Sequence, residues 1–378
     1  MVAQAVPAIT SLDDLLHRLC IDLQLSPTDY KLAMEHYQAI GRYLHAEGSP
    51  VAIHDPDIYP QGSLRIGTTV KPRGRQEYDL DLVCEMSNLN WRNCSDPVGL
   101  LDDIENWLKA NGLYKDKVER MNRCIRVNYE HQFHLDILPA CPDGGSGYCC
   151  VVVPDCKADD WKPSNPKGYA EWFEKIARSS EFEIYLKSIA PVPHQEPLEL
   201  KPPLKRAVQL IKRYRDIKLG YDSKAAISIV LTTLSAQNYL GQESVNETLM
   251  VILEGIVASL PSDGSILKVE NPMNKDEKFS ERWDADPKLY TEFKEWVIEF
   301  RDDWRAVNLA SGLSTKTPRL SKLFGEERVI KALDFQAESM NSLRSSESLG
   351  IEKATGIITS VKSAGTLPVP KNNYYGEE

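Results

Sequence analysis

Apolar residues recur at helical spacing along much of this chain. Leu12, Leu15, Leu16, Leu19 and Leu23 make one stripe, with Ser11 placed to cap the helix and Asp13 and Asp14 in its first turn. Ser26-Pro27 opens a second helix, because proline suits the first helical position. Its stripe is Tyr30, Ala33, Tyr37, Ile40 and Leu44, and Gly48-Ser49-Pro50 stops it. The same spacing predicts a helix over 97–111, with Leu100, Leu101, Ile104, Trp107 and Leu108 inward and Gly112 as the stop. After residue 203 the pattern is almost wholly helical, over 204–218, 227–240, 243–260, 287–307 and 326–340. The stretch 227–240 is apolar on several sides, which predicts a central buried helix.

Elsewhere the period drops to two. Over 78–85, Leu80 and Leu82 point to one face and Asp79 and Asp81 to the other. Phe133, Leu135 and Ile137 likewise oppose His134, Asp136 and Leu138. Strands are also predicted over 51–59, 117–129 and 149–154, with 117–129 antiparallel to 132–138. A short helix or turn is expected over 64–70. Residues 163–169 are rich in turn formers and precede a helix over 169–177. The proline-rich stretch 191–203 marks a boundary. Beyond Ser342 periodicity fades, and 367–378 reads as an extended tail. The chain therefore divides into a mixed α and β unit at 1–195, a helical unit at 196–341 and a tail at 342–378.

The densest chemistry lies in 61–84. It opens Gln61-Gly62-Ser63-Leu64-Arg65-Ile66-Gly67-Thr68 and closes Glu77-Tyr78-Asp79-Leu80-Asp81-Leu82-Val83. Two carboxylates side by side repel, and a site that keeps both ionised usually holds a cation. A Gly-Ser turn presents N–H groups and a hydroxyl to an anion such as phosphate. A metal site beside a phosphate site suggests phosphoryl or nucleotidyl transfer. A third carboxylate is then expected on a neighbouring strand, and Asp136 in Phe133-His134-Leu135-Asp136-Ile137 is the candidate.

Gly-Ser, then Asp-x-Asp, then a later single strand Asp resembles the polymerase-β-like nucleotidyltransferases. The stretches 61–68, 77–84, 133–140, Pro163-Ser164-Asn165-Pro166-Lys167-Gly168-Tyr169, and Asn271-Pro272 with Phe279 and Trp283 together resemble one branch. That branch is the bacterial cyclic GMP–AMP synthase-like (CD-NTase) enzymes of anti-phage signalling. The resemblance implies an α+β fold, with a polymerase-β-like core on a mixed sheet and a helical C-terminal lobe, and a cleft between them. The helix over 27–44 would be the spine joining both lobes. Asp79, Asp81 and Asp136 would be catalytic and would hold two Mg²⁺ ions, with Mn²⁺ able to substitute. Gln61, Gly62 and Ser63 would bind the nucleotide, with Lys212 and Ser228 gripping triphosphate from the second lobe. Asn271-Pro272, Phe279 and Trp283 are expected to cap and pack a helix near the cleft. The product would be a cyclic di- or trinucleotide made from ATP, GTP or a pyrimidine triphosphate. It would act on a downstream effector, and an accessory protein could engage the C-terminal tail.

Composition narrows the alternatives. The net charge of −10 argues against a broad nucleic-acid footprint, which needs clustered cations. A local basic pocket is still open to Arg65, Lys71, Arg73 and Arg75. No apolar run approaches the roughly 18 residues of a membrane span, and the first ten residues lack a signal-peptide pattern, so a cytoplasmic protein is expected. Cys141, Cys149, Cys150 and Cys156 crowd together near His131 and His134. Without a Cys-x-x-Cys pair they read as inert buried thiols rather than a zinc site. Rival functions are linear oligonucleotide synthesis, transfer of a nucleotide to a protein, and a catalytically silent nucleotide-binding scaffold.

Overall fold

A computed structural model of the chain describes residues 12–73, 77–94, 96–129, 133–145, 147–178, 201–220, 224–353, 358–359 and 366–369. The expected cap Ser11 and the expected boundary residues 191–200 lie outside them. Helices α1 (Leu12–Leu23) and α2 (Pro27–Leu44) part at Ser26, whose side chain accepts from the Asp29 N–H while Pro27 starts the new helix. Then come β1 (Pro56–Gln61), the single turn α3 (Gly62–Arg65), β2 (Tyr78–Met86), α4 (Gly99–Ala110), β3 (Val118–Arg120) and β4 (Ile125–Tyr129). β5 (Phe133–Pro142), β6 (Val151–Asp155), β7 (Asp160–Ser164) and α5 (Pro166–Arg178) complete the first half.

The sheet runs β1-β2-β5-β4-β3, with β6 and β7 continuing from the far end of β5. β2 and β5 are parallel and every other pairing in it is antiparallel, so the sheet is mixed, as expected. Parallel neighbours need a long crossover, and α4 with the β3–β4 hairpin supplies it. One face buries Leu80, Leu82, Leu135 and Ile137 against α2 and α4. The alternating Asp79, Asp81 and Asp136 are thereby left on the other face.

The second half is α6 (Pro203–Lys218), α7 (Ser228–Gln237), α8 (Val245–Ala258), the hairpin β8 (Glu270–Asn271) and β9 (Asn274–Lys278), α9 (Glu281–Ala285) and α10 (Pro287–Leu309). α11 (Leu313–Phe324) and α12 (Glu326–Ser345) follow, then β10 (Gly350–Glu352), β11 (Ile358–Thr359) and β12 (Thr366–Pro368). Its core also takes Leu15, Leu16 and Leu19 of α1 and Tyr169 and Phe173 of α5, whereas Ala33, Tyr37 and Ile40 of α2 belong to the sheet core. The spine expected of one helix is thus shared by α1 and α2, on either side of the Ser26-Pro27 break. Among the described residues no helix is long and apolar enough to cross a membrane.

Several expected elements shift. The strand of 51–59 starts only at Pro56, because a 3₁₀ turn at Ala52–His54 ends on left-handed Asp55. The strand of 117–129 folds into a hairpin closed by the Met121 N–H on the Cys124 carbonyl. Cys149 and Cys150 lie in a turn before β6, with Cys149 at φ +56°. Asn271-Pro272 turns a β-hairpin instead of capping a helix; the capping is done by Asn165, whose Oδ1 accepts the Gly168 N–H at 2.9 Å. α11 was not expected, since it carries Pro318 inside and glycines at both ends. The tail stretch is partly built: Leu367 pairs with Ile351 in β10, and Leu349 is buried; 370–378 lie outside the described residues.

α6 carries Lys205, Arg206, Lys212, Arg213 and Arg215, and all five are buried. Lys205 survives burial through Glu174 of α5, at 2.6 Å. Removing one partner of a buried pair leaves the other charge uncompensated, which costs about 3–5 kcal/mol. Glu174→Leu should therefore destabilise by about that amount. Glu174→Leu with Lys205→Met should recover most of it, as read by chemical denaturation of both variants.

Candidate active site

The site is built at the end of β1. Gln61, its last residue, lies opposite Asp81, and the chain turns at once through Gly62 and Ser63. Gly62 has φ +63°, and a Cβ there would collide with the Asp81 carboxylate. Only glycine meets both demands. Ser63 Oγ lies 3.2 Å from Thr69 Oγ1, which ties the turn to the loop beyond it. Asp79 and Asp81 project between the buried Leu80 and Leu82. In the parallel pairing Asp81 stands directly beside Asp136 of β5. The three carboxylates therefore gather from two neighbouring strands.

Their proximity is visible in the acidity of Asp81. Burial first, then the charges of Asp136 and Asp79, push its carboxyl up to about 8, while Arg126 and Lys212 pull the other way. Arg126 is a residue that sequence reasoning missed. It lies on β4 opposite Asp136, donates to both Asp136 oxygens at 2.7 and 2.8 Å, and reaches Asp79 Oδ1 at 3.3 Å. The signal was present: Ile125 and Val127 alternate inward, so Arg126 had to share the carboxylate face.

The facing wall comes from α6 and α7. Lys212 donates to Thr68 O at 3.2 Å and to Thr68 Oγ1 at 3.1 Å, and burial lowers its pKa to about 7. Ser228, the first residue of α7, accepts from Arg215 Nη1 at 3.2 Å. The cleft between the walls has a volume of about 450 Å³, within the range of small-ligand sites. Of the residues expected from sequence, Gln61, Gly62, Ser63, Asp79, Asp81, Lys212 and Ser228 all line it. Asp136 stands behind them, outside the lining, under Arg126. Among the described residues, Arg65, Lys71 and Arg73 of the expected basic pocket do not line the cleft. Arg73 instead donates to the Asp216 carbonyl, Lys71 is exposed, and Arg75 lies outside the described residues. Arg123, Lys212 and Arg215 are the cations lining the cleft among the described residues.

Glu277 of β9 also lines the cleft. It accepts from Ser164 Oγ, the Asn165 N–H and Asn271 Nδ2 at 2.6 to 2.9 Å, joining the hairpin to β7 and α5. The Ser-Asn-Pro and Asn-Pro stretches thus meet through one half-buried carboxylate. The donor set at the three aspartates is all oxygen, which fits Mg²⁺ or Mn²⁺. No three His, Cys, Asp or Glu side chains among the described residues converge closely enough to hold an ion as they stand, and burial pushes the Cys84 and Cys141 thiols up to about 12.

Two outcomes are expected. Gly62→Ala should lower turnover about a hundredfold, the scale of a catalytic group displaced by about 1 Å, with a smaller effect on melting temperature. The second concerns pH. Folded Asp81 keeps its proton up to about 8, whereas an unfolded aspartate loses it near 3.8. Between those values the folded state binds more protons, so this residue's contribution to stability falls as pH rises. In metal-free protein, the melting temperature of Asp81→Asn minus that of wild type should grow between about pH 4 and pH 8. A difference that stays constant with pH would contradict it.

Residues 11–176 match the Second Messenger Oligonucleotide or Dinucleotide Synthetase domain. The chain is 34% identical to a c-di-GMP synthase from Roseivirga ehrenbergii, over 98% of each chain. It is 30% identical to the cyclic dinucleotide synthase CdnG of Bradyrhizobium diazoefficiens, over 73% of this chain and 71% of that one. A structure of the Bradyrhizobium CD-NTase CdnG in complex with GTP superposes with a TM-score of 0.71 at 26% identity, covering 88% of this chain and 99% of the other. Fold, carboxylate cluster and relatives agree, and the chain belongs to the second messenger synthetase family of bacterial cyclic GMP–AMP synthase-like nucleotidyltransferases.

Proposed function

We propose that this enzyme condenses nucleoside triphosphates into a cyclic di- or trinucleotide, releasing one pyrophosphate for each bond formed. The observation that carries this reading is the meeting of Asp79 and Asp81, backed by Asp136, with Lys212 and Ser228 across one cleft. The Roseivirga relative, alike over nearly the whole chain, favours a dinucleotide and makes guanine the first base to test.

In this reading the Gly62 N–H and the Ser63 hydroxyl meet the β- or γ-phosphate of the donor nucleotide. Lys212 and Ser228 take the triphosphate from the helical side. Lys212 is fully interior and aimed by Thr68, so it acts as a fixed charge rather than a mobile one. Asp79, Asp81 and Asp136 would hold two Mg²⁺ ions, which when bound would offset charge on the α-phosphate and acidify the attacking hydroxyl. The ribose hydroxyl of the acceptor attacks the α-phosphorus, the bond to pyrophosphate breaks, and the hydroxyl proton leaves. Closing the ring repeats the same exchange after the linear intermediate turns over in the cleft. We assign the product to anti-phage defence in the cytoplasm, acting on a separate effector, with an accessory protein engaging the chain near its C-terminal end.

Purified enzyme with labelled triphosphates and Mg²⁺ should give a cyclic product, identified by mass spectrometry, and none in excess EDTA. Asp79→Ala with Asp81→Ala should abolish synthesis while the metal-free melting temperature holds or rises, since repulsion is relieved. Retained synthesis in that variant would overturn the assignment. A linear product or a nucleotide on a protein would replace it with one of those chemistries, and no product with tight nucleotide binding would point to a scaffold.

A further inference from the structure

The carboxylate cluster already has a cation, and it belongs to the protein. Ile125 and Val127 are fully buried in the sheet core, so the register of β4 fixes Arg126 over Asp136. Its planar fork takes both Asp136 oxygens and its Nη2 also reaches Asp79. One guanidinium thus spans two of the three aspartates, a geometry that a lysine ammonium cannot reproduce.

We propose that Arg126 is a built-in counter-ion that competes with divalent metal for Asp136 and Asp79. It holds both carboxylates in place while the site is without metal, and it gives up Asp136 as metal binds. This inference rests on the two-metal reading above. Arg126 is then a positioning residue that sets the metal affinity of the free enzyme. A weak free-enzyme affinity means that metal is taken up together with triphosphate, whose oxygens add ligands that Arg126 cannot occupy.

The test uses full-length, metal-stripped protein without nucleotide. Mn²⁺ binding is followed by calorimetry and by the loss of free Mn²⁺ signal in electron paramagnetic resonance. Melting temperature is measured with and without saturating Mn²⁺. Arg126→Gln should bind Mn²⁺ on the order of tenfold more tightly than wild type, the scale of one charge-assisted contact. Its metal-free melting temperature should fall below that of wild type, and Mn²⁺ should close the gap. Arg126→Lys should lie between the two, and it keeps the test open if the glutamine variant does not fold. Unchanged or weaker Mn²⁺ binding in both variants would overturn the inference, as would a loss of melting temperature that Mn²⁺ leaves untouched. Wild-type protein that takes up no Mn²⁺ would overturn the two-metal reading itself, which is a distinguishable failure.

Discussion

Everything at this site follows from one pairing. β2 and β5 lie parallel and in a register that sets Asp81 beside Asp136, with Asp79 two residues along. Like charges this close, and one of them buried, are unfavourable in a folded protein. The sheet can hold them because Leu80, Leu82, Leu135 and Ile137 on the opposite face are fixed in the core under α2 and α4. A slip of one residue would turn those side chains toward the cleft and the aspartates into the core. Hydrophobic burial on one face therefore stabilises electrostatic strain on the other. The residual negative charge is met by Arg126 in the structure, and would be met by magnesium in the proposed reaction.

The second constraint is how the helical lobe finds the Gly-Ser turn. The buried polar side chains of α6 are spent largely on the backbone of the loop after that turn. Gln209 donates to the Thr69 carbonyl at 2.7 Å, Lys212 to Thr68, and Arg213 to Lys71. In return Arg73 donates to the Asp216 carbonyl. Buried donors demand acceptors, and loop carbonyls without secondary structure demand donors, so each satisfies the other. The result is that Lys212 and the Ser63 turn are placed by one network. A movement of α6 would move the loop after the Gly-Ser turn with it.

Much of this was legible in the sequence, and the misses have physical causes. That Asp79, Asp81 and Asp136 share one face was legible because strand alternation converts directly into a face, and Gly62-Ser63 was legible as a turn before such a strand. Arg126 carried the same alternation signal but was read only as part of a strand, since a charge on a half-exposed strand needs no partner until the register is known. Glu277 gave no signal at all. It joins Ser164, Asn165 and Asn271, which lie far apart in sequence, and such a carboxylate is defined only by tertiary contact. The enclosure of the basic helix gave no signal either: α6 carries five buried cations in eleven residues, and partners for them come from α1, α5 and the loop after Gly62.

These two networks meet across the cleft with opposite sign. The strand wall offers acids whose repulsion is only partly relieved, and the helix wall offers Lys212 and Arg215 inside a low-dielectric interior. Lys212 at a pKa of about 7 is poised so that an arriving polyanion would favour its charged form. Asp81 at about 8 is poised so that an arriving cation would favour its ionised form. Neither group is in its most charged state without its ligand. A nucleoside triphosphate carrying its metal presents both charges at once, so each half of the ligand would bring one wall toward its reactive protonation state. Metal alone or triphosphate alone would satisfy one wall and leave the other unfavourable. In the proposed reaction the electrostatics of the cleft would then favour the complex of the two over either component.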